Sequence, residues 1–260
     1  MSNRRKKKGH RTTPPPPRAT PAKKKKVEPF PLGIGAMMQG GLEGLRREPV
    51  ALLLGALVPV VVMVPLAALA GTAFDDDRVA AGVTFSIVAL VLGGMFSFPL
   101  CHYALRTARQ EPIDLGEPFR RWIRFVPMLV ASFWFWAGFL LGFQMGPQLL
   151  ALAAPAIVMG YAFFGFVIDD RHDLGGLKAL GTSVRVGDGR RFALLAIVCL
   201  YAAVGFVVYL FGFTIAISAG LTGAPATIAG SVVVLPFLAL ALVSWAGLYY
   251  VLRKDLEDAW

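Results

Sequence analysis

The chain has 260 residues, 56% of them hydrophobic, with a mean hydropathy of +0.63 and a formal net charge of +10. Soluble domains carry about 45–50% apolar residues. Here the excess is gathered into long runs, which excludes an ordinary soluble globule and points to an all-α, polytopic transmembrane bundle. The charge is just as unevenly placed. Residues 1–29 hold eleven Lys/Arg and one acid, Glu28, whereas residues 30–260 hold fifteen bases and fifteen acids. The high pI therefore belongs to the tail and gives no basic groove to the body.

The tail contains Arg4-Arg5-Lys6-Lys7-Lys8, Pro14 to Pro17 and Lys23 to Lys26. Like-charge repulsion and proline predict a disordered segment over 1–29, followed by a membrane domain over 30–260. Three roles stand open for the tail. It can act as a topology signal holding the N-terminus in the cytoplasm. It can contact anionic lipid headgroups, at roughly 1 kcal/mol per basic residue. It can also bind an acidic protein; nucleic acid is disfavoured. No cleavable signal peptide is expected, because no short apolar core follows the basic region.

Over 30–49, Ile34, Met37, Met38, Leu42 and Leu45 recur with one-sided helical spacing, although Gly33, Gly35, Gly40, Gly41 and Gly44 weaken the pattern. An interfacial helix ending at Arg46-Arg47 is predicted. Span 1 follows near Val50–Gly71, with Pro59 and Pro65 inside it, where neighbouring helices can satisfy the freed carbonyls. Asp75-Asp76-Asp77-Arg78 reads as a solvated acidic loop rather than a cation site, which would need ligands from several directions. Span 2 is expected near Val79–Leu105. His102 is read as a hydrogen-bonded interfacial histidine, with no carboxylate in helical register beside it.

Residues 106–124 form a charged loop. Glu117-Pro118 suits a helix start, and Phe119, Trp122, Ile123 and Val126 share a face, so a second interfacial helix is predicted. Residues 125–168 are free of formal charge. A break at Gln144–Gln148 would divide them into span 3 near Phe125–Phe143 and span 4 near Gln148–Ile168. Gly138, Gly142 and Gly146 stand four apart, which permits close helix packing, within the chain in preference to a dimer face; a homo-oligomer stays open.

In 169–191, Asp173 is the expected N-cap of a third interfacial helix whose apolar face is Leu174, Leu177, Leu180 and Val184. Gly187-Asp188-Gly189 stops it before Arg190-Arg191. The next 61 residues, Phe192 to Leu252, contain no Asp, Glu, Lys or Arg. One crossing takes about 20 apolar residues, so this run holds spans 5 and 6, turning at 219–225. Trp245, Tyr249 and Tyr250 fall in its last turns, and the aromatics nearest its end suit the interface.

The reading is thus about six spans arranged as three hairpins with short interfacial helices. It puts 25 of the 26 Lys/Arg on one side, all but Arg78. That bias predicts a bacterial cytoplasmic (inner) membrane protein with both termini cytoplasmic. The pairs Arg46-Arg47, Arg120-Arg121 and Arg190-Arg191 lie 74 and 70 residues apart. They mark either three repeats of helix, basic pair and hairpin, or the orientation rule acting three times. They are candidate headgroup contacts or topology determinants.

The segment Asp173 to Arg185, followed by Gly189-Arg190-Arg191-Phe192, resembles bacterial six-span membrane proteins of uncharacterised function. It is also similar to the membrane domain of some glycerophosphodiester phosphodiesterases. Ala179, Leu180, Ser183 and Arg190 match the pattern, and Val186 replaces its leucine. The close, Tyr249-Tyr250 through Asp255-Leu256, resembles the end of such domains. The resemblance implies a six-span fold over about residues 40 to 255 more than an activity.

No HExxH, GxSxG, Walker loop or CxxC is present. Cys101 and Cys199 read as two buried thiols, small hydrophobes in separate spans. The sequence therefore assigns no catalytic, cofactor or metal residue. Ser86, Ser97, Ser132, Gln144, Thr214, Ser218, Thr227, Ser231 and Ser244 are expected to bond backbone carbonyls or neighbouring helices. The leading expectation is a structural or accessory protein that binds membrane lipids or an unidentified protein partner. A transporter or lipid-translocating protein for a neutral substrate, motivated by Pro59, Pro65, Pro127 and Pro236, is the alternative. A membrane enzyme using Asp169, Asp170, His172 and Asp173 ranks last, a solvated loop being the simpler reading.

Overall fold

The computed structural model describes residues 33–144, 157–158 and 161–257, and among them there are helices and no strand. The basic tail, residues 145–148 of the expected break and most of the expected fourth span lie outside the described residues. Helix α1 covers Ile34–Arg47, α2 Pro49–Asp75, α3 Val79–Phe96, α4 Phe98–Ala108 and α5 Glu117–Arg120. A 3-10 turn at Trp122–Arg124 leads into α6, Phe125–Gln144; α7 is Phe164–Asp170, α8 Gly176–Val186, α9 Arg191–Ser218 and α10 Ala224–Glu257.

Among the described residues, four helical stretches are long and apolar enough to cross a membrane: Pro49–Asp75, Val79–Ala108, Arg191–Ser218 and Pro225–Lys254. A shorter apolar one covers Trp122–Gly138. A 27-residue helix is about 40 Å long, more than a hydrocarbon core of about 30 Å. In Arg191–Ser218 only 11% of the most apolar window is buried within the protein. Phe192, Phe206, Val207, Phe211 and Ile215 are exposed, an apolar surface that suits lipid or a packed partner rather than water.

The spans pair as hairpins. α2 turns at Asp76-Asp77, where Asp77 takes φ 57°, and packs on α3. Arg78 pairs with Asp76 at 2.6 Å in an exposed turn. α9 turns through Gly220 and Gly223, with φ 85° and 62°, and packs on α10. Glycine tolerates these left-handed angles because it lacks a Cβ. Pro59, Pro65 and Pro236 all sit inside continuous helices. The expected second span is interrupted at Ser97, just before Pro99. Ser97 N–H and Oγ both turn back to the Gly94 carbonyl, at 3.3 and 2.7 Å.

Helix α1 does not lie on the surface by one apolar stripe alone. Its buried positions are Met37, Gly41 and Gly44, while Ile34, Met38 and Leu42 are exposed. A Cβ at Gly41 would stand 2.7 Å from the Leu240 carbonyl, and one at Gly44 2.6 Å from Val243 Cγ1. The glycines that weaken α1 in isolation are the surface by which it approaches α10. The second interfacial helix is shorter than expected. α5 is a single turn, and Phe119, Trp122, Ile123 and Val126 are all exposed beside it.

Two further expectations are corrected. The N-cap of α8 is Gly175, with no side-chain bond, instead of Asp173. Its buried stripe is Gly176, Ala179, Leu180, Ser183 and Val186, and Leu177 is exposed. Tyr249, expected near the interface, is core, as is Trp245 one turn earlier. Phe163 stacks on Trp245 at 5.2 Å, Phe166 stacks on Tyr249 at 5.7 Å, and the Trp245 indole donates to the Ala162 carbonyl at 3.0 Å. The residues that carry the resemblance share this packing. Ala179, Leu180 and Ser183 are buried, and Ser183 Oγ accepts the Phe163 N–H at 3.0 Å. Of the two thiols, Cys101 is buried and Cys199 is exposed.

Candidate functional site

The chemistry-bearing side chains converge at one end of the bundle, where α4 and α10 finish and α5, α7 and α8 sit. Apolar packing brings them there. The long runs pair as hairpins, so the polar residues that close each run arrive at a common level. Asp169 and Asp170 end α7 directly after the apolar stretch, His102 and Arg106 lie on α4, and Arg109 is its C-cap.

Two linked clusters result. In the first, His102 Nδ1 lies 2.8 Å from Asp169 Oδ1, and both side chains are buried. His102 Nε2 lies 3.3 Å from Glu117 Oε2 but is not aligned for a hydrogen bond. Glu117 is also held by Arg106 at 3.1 Å and by Arg121 at 2.6 Å, and Arg106 reaches Glu111 at 2.8 Å. In the second, Asp170, with a side chain only 4% exposed, is bracketed by Arg109, by Arg253 at 2.5 Å and by the Tyr249 hydroxyl at 3.0 Å. Together the two clusters form a clamp in which three carboxylates (Glu111, Glu117 and Asp170) meet four guanidiniums (Arg106, Arg109, Arg121 and Arg253) and Asp169 meets His102. A buried acid is tolerated where such partners satisfy it.

The sequence reading of this region is corrected on two points. Asp169 and Asp170 are not solvated, and His102 does have carboxylates beside it, brought from 67 and 15 positions away. His172 forms no ion pair with either acid and touches the cluster only through Arg121, at 3.3 Å. Partial burial, then the charges of Arg124 and Arg121, lower its pKa below the usual imidazole value. Asp114 is also held below the ordinary carboxylate value, first by the Gly116 backbone N–H and then by Arg120.

Each imidazole nitrogen of His102 faces a different carboxylate, so the three groups cannot converge on one ion. Among the described residues no three His, Cys, Asp or Glu side chains form a group that could hold a metal. The hydroxyls within spans behave as expected. Ser86, Ser97, Thr214, Ser218, Thr227, Ser231 and Ser244 bond carbonyls of their own helices. Ser132 Oγ is buried without a described partner, and the Gln144 side chain lies outside the described residues.

The arginine pairs do not gather into one site. Arg46 is exposed, and Arg47 reaches the Gln110 carbonyl at 3.4 Å. Arg120 pairs with Asp114, Arg121 joins the Glu117 cluster, and Arg191 pairs with Asp188 at 3.2 Å. Arg190 precedes α9 at its N-cap. A Cβ added at Gly138 would meet Ile157 Cδ1 at 3.5 Å, in keeping with packing inside the chain. The side chain position of Gly142, and Gly146 altogether, lie outside the described residues.

Two cavities adjoin this region. One, of about 370 Å³, lies between α1, the end of α4 and the end of α10, with Glu43, Arg47 and Gln110 among its lining. The other, of about 310 Å³, is lined mostly by apolar side chains, including Phe135, Phe164, Leu238 and Trp245. Neither is lined by a residue from the turns at 75–78 or 219–223.

Comparison with models of known families, with curated proteins and with solved structures returned no match.

Proposed function

We propose that this chain is a non-catalytic integral membrane protein that docks anionic lipid, and through it a protein partner, on a basic rim at its cytoplasmic end. The observation that carries the reading is how the charges are divided. The buried acids are matched inside the clamp, Asp170 by Arg109 and Arg253 and Asp169 by His102, whereas Arg46, Arg120 and Arg191 stand at the exposed edge. Exposed ion pairs such as Arg120–Asp114 and Arg191–Asp188 are weak, so they leave the guanidiniums open to phosphate. Trp122, Ile123 and Phe119, exposed beside Arg120 and Arg121, have the amphipathic composition of an interfacial anchor. His102 is closed off by Asp169 and Glu117, which makes it a cross-link between α4, α5 and α7 and leaves it no open face for a substrate.

The test is retention of phosphatidylglycerol by the detergent-purified full chain, read by native mass spectrometry. Deletion of residues 1–29, and separately Arg46→Gln with Arg191→Gln, are expected to reduce it. Unchanged retention in both would reduce the arginines to orientation signals and end this reading.

A further inference from the structure

The cleft between α1, α4 and α10 holds two features that the clamp does not use. Glu43 and Arg47 stand one helical turn apart on α1, a spacing at which opposite charges ordinarily pair. Here they form no ion pair with each other or with any other described residue. Glu43 Oε1 accepts only from Gln39, at 3.1 Å, and Arg47 reaches the Gln110 carbonyl at the long distance of 3.4 Å. Both charges line the cleft.

The second feature is a pair of glycines on its facing walls. A Cβ added at Gly40 of α1 or at Gly247 of α10 would meet nothing within 4 Å. This contrasts with Gly41 and Gly44 on the same α1, where close packing excludes a side chain. Glycine costs about 1 kcal/mol in a helix interior relative to alanine. Gly35, Gly71 and Gly181 likewise meet open space, but of these glycines Gly40 and Gly247 line this cleft. The resulting space, about 370 Å³, is of the size that holds small ligands, about 300–1,000 Å³.

We infer that this cleft binds the headgroup of a zwitterionic phospholipid, with its phosphate on Arg47 and its primary ammonium on Glu43. An unpaired cation and anion side by side match a phosphate–ammonium dipole and repel neither end. Met37, Val243 and Val251 line the same cleft and give the glycerol and upper acyl carbons an apolar wall. Its position beside the ends of α4 and α10 is the headgroup level of the bilayer. The inference rests on the membrane-embedded reading above. It is separate from the basic rim, because that rim selects anionic lipid and this cleft selects a net-neutral one.

The full chain, purified in detergent and offered equal amounts of phosphatidylethanolamine and phosphatidylglycerol, is measured for retained lipid by native mass spectrometry. Glu43→Gln and Arg47→Gln are each expected to lower phosphatidylethanolamine retention about tenfold, the effect of losing one charge-assisted bond. Gly247→Leu, which fills the cleft, is expected to abolish it. All three should keep the phosphatidylglycerol held by the rim. Displacement of the lipid by equimolar soluble phosphoethanolamine would assign the site to the free headgroup compound; resistance to it would assign the site to the lipid. Phosphatidylethanolamine retention that is unchanged in Glu43→Gln and Gly247→Leu would overturn the inference. Should Gly247→Leu fail to fold, Glu43→Gln, at an exposed position, decides alone. Loss of phosphatidylglycerol with the rim variants but not these ones would separate the failure of either reading from that of the other.

Discussion

Asp170 and Arg253 meet at 2.5 Å although 83 positions separate them in the chain. The contact closes the end of α10 onto the end of α7, and Arg109 adds α4 to the same carboxylate. One buried acid therefore ties three helices together where they leave the apolar core.

Asp170→Asn is the most direct test of that tie. The substitution leaves Arg109 and Arg253, with side chains 19% and 28% exposed, without their shared counter-charge. Breaking a buried pair from one side costs about 3–5 kcal/mol, so the variant should melt well below the parent in detergent. Asp76→Asn, which removes an exposed partner of Arg78, should leave the midpoint unchanged.

The two kinds of glycine on α1 predict opposite outcomes. Gly41→Ala drives a methyl against the Leu240 carbonyl, 2.7 Å away, and is expected to destabilise by about 1–3 kcal/mol, as overpacking does. Gly40→Ala meets open space and should stabilise by up to about 1 kcal/mol through helix propensity. Paired thermal melts of the two variants check the sign of each.

The depressed pKa of His172 gives a pH dependence of fixed sign. Burial and the nearby Arg124 and Arg121 disfavour its charged form in the folded chain. The unfolded chain then binds more protons, so this contribution to stability is present above the ordinary histidine pKa. It is lost as pH falls through the lowered, folded value. His172→Gln should flatten the dependence of melting midpoint on pH in that window, and an unaltered slope would count against the assignment.

Orientation can be read by cysteine labelling in a background where Cys101 and Cys199 are serine. Asp76→Cys should react with a membrane-impermeant maleimide in intact cells, whereas Asp188→Cys should react only after permeabilisation. The reverse pattern would invert the proposed topology, and with it the side on which the clamp lies.

Much of the scaffold was legible because a span is a local property. A helix in lipid must be about 20 residues long and apolar, so runs such as Phe192–Leu252 announce a hairpin, and Gly220 and Gly223 announce its turn. The back-bonding of Ser86 or Thr214 follows for the same reason, since each partner is four residues away. The packing of α1 was not legible. Gly41 lowers helix propensity in sequence, and only the neighbouring α10 shows why glycine is required there.

The clamp was hidden for a related reason. Asp169 and Asp170 look like loop acids because they follow the last apolar residue. Their position at the close of a charge-free run was the available signal. Tyr249 and Trp245 have the composition of an interfacial belt, and nothing local shows that Phe163 and Phe166 cover them.

By itself the sequence determined that this chain is helical, polytopic and strongly asymmetric in charge, because hydrophobicity and charge are summed along a segment without reference to any other. Which charges are buried, which arginine meets which acid, and where the empty cleft lies were decided by tertiary structure alone. Those are pairwise distances between residues as far apart as 83 positions, and they exist only once the hairpins have packed.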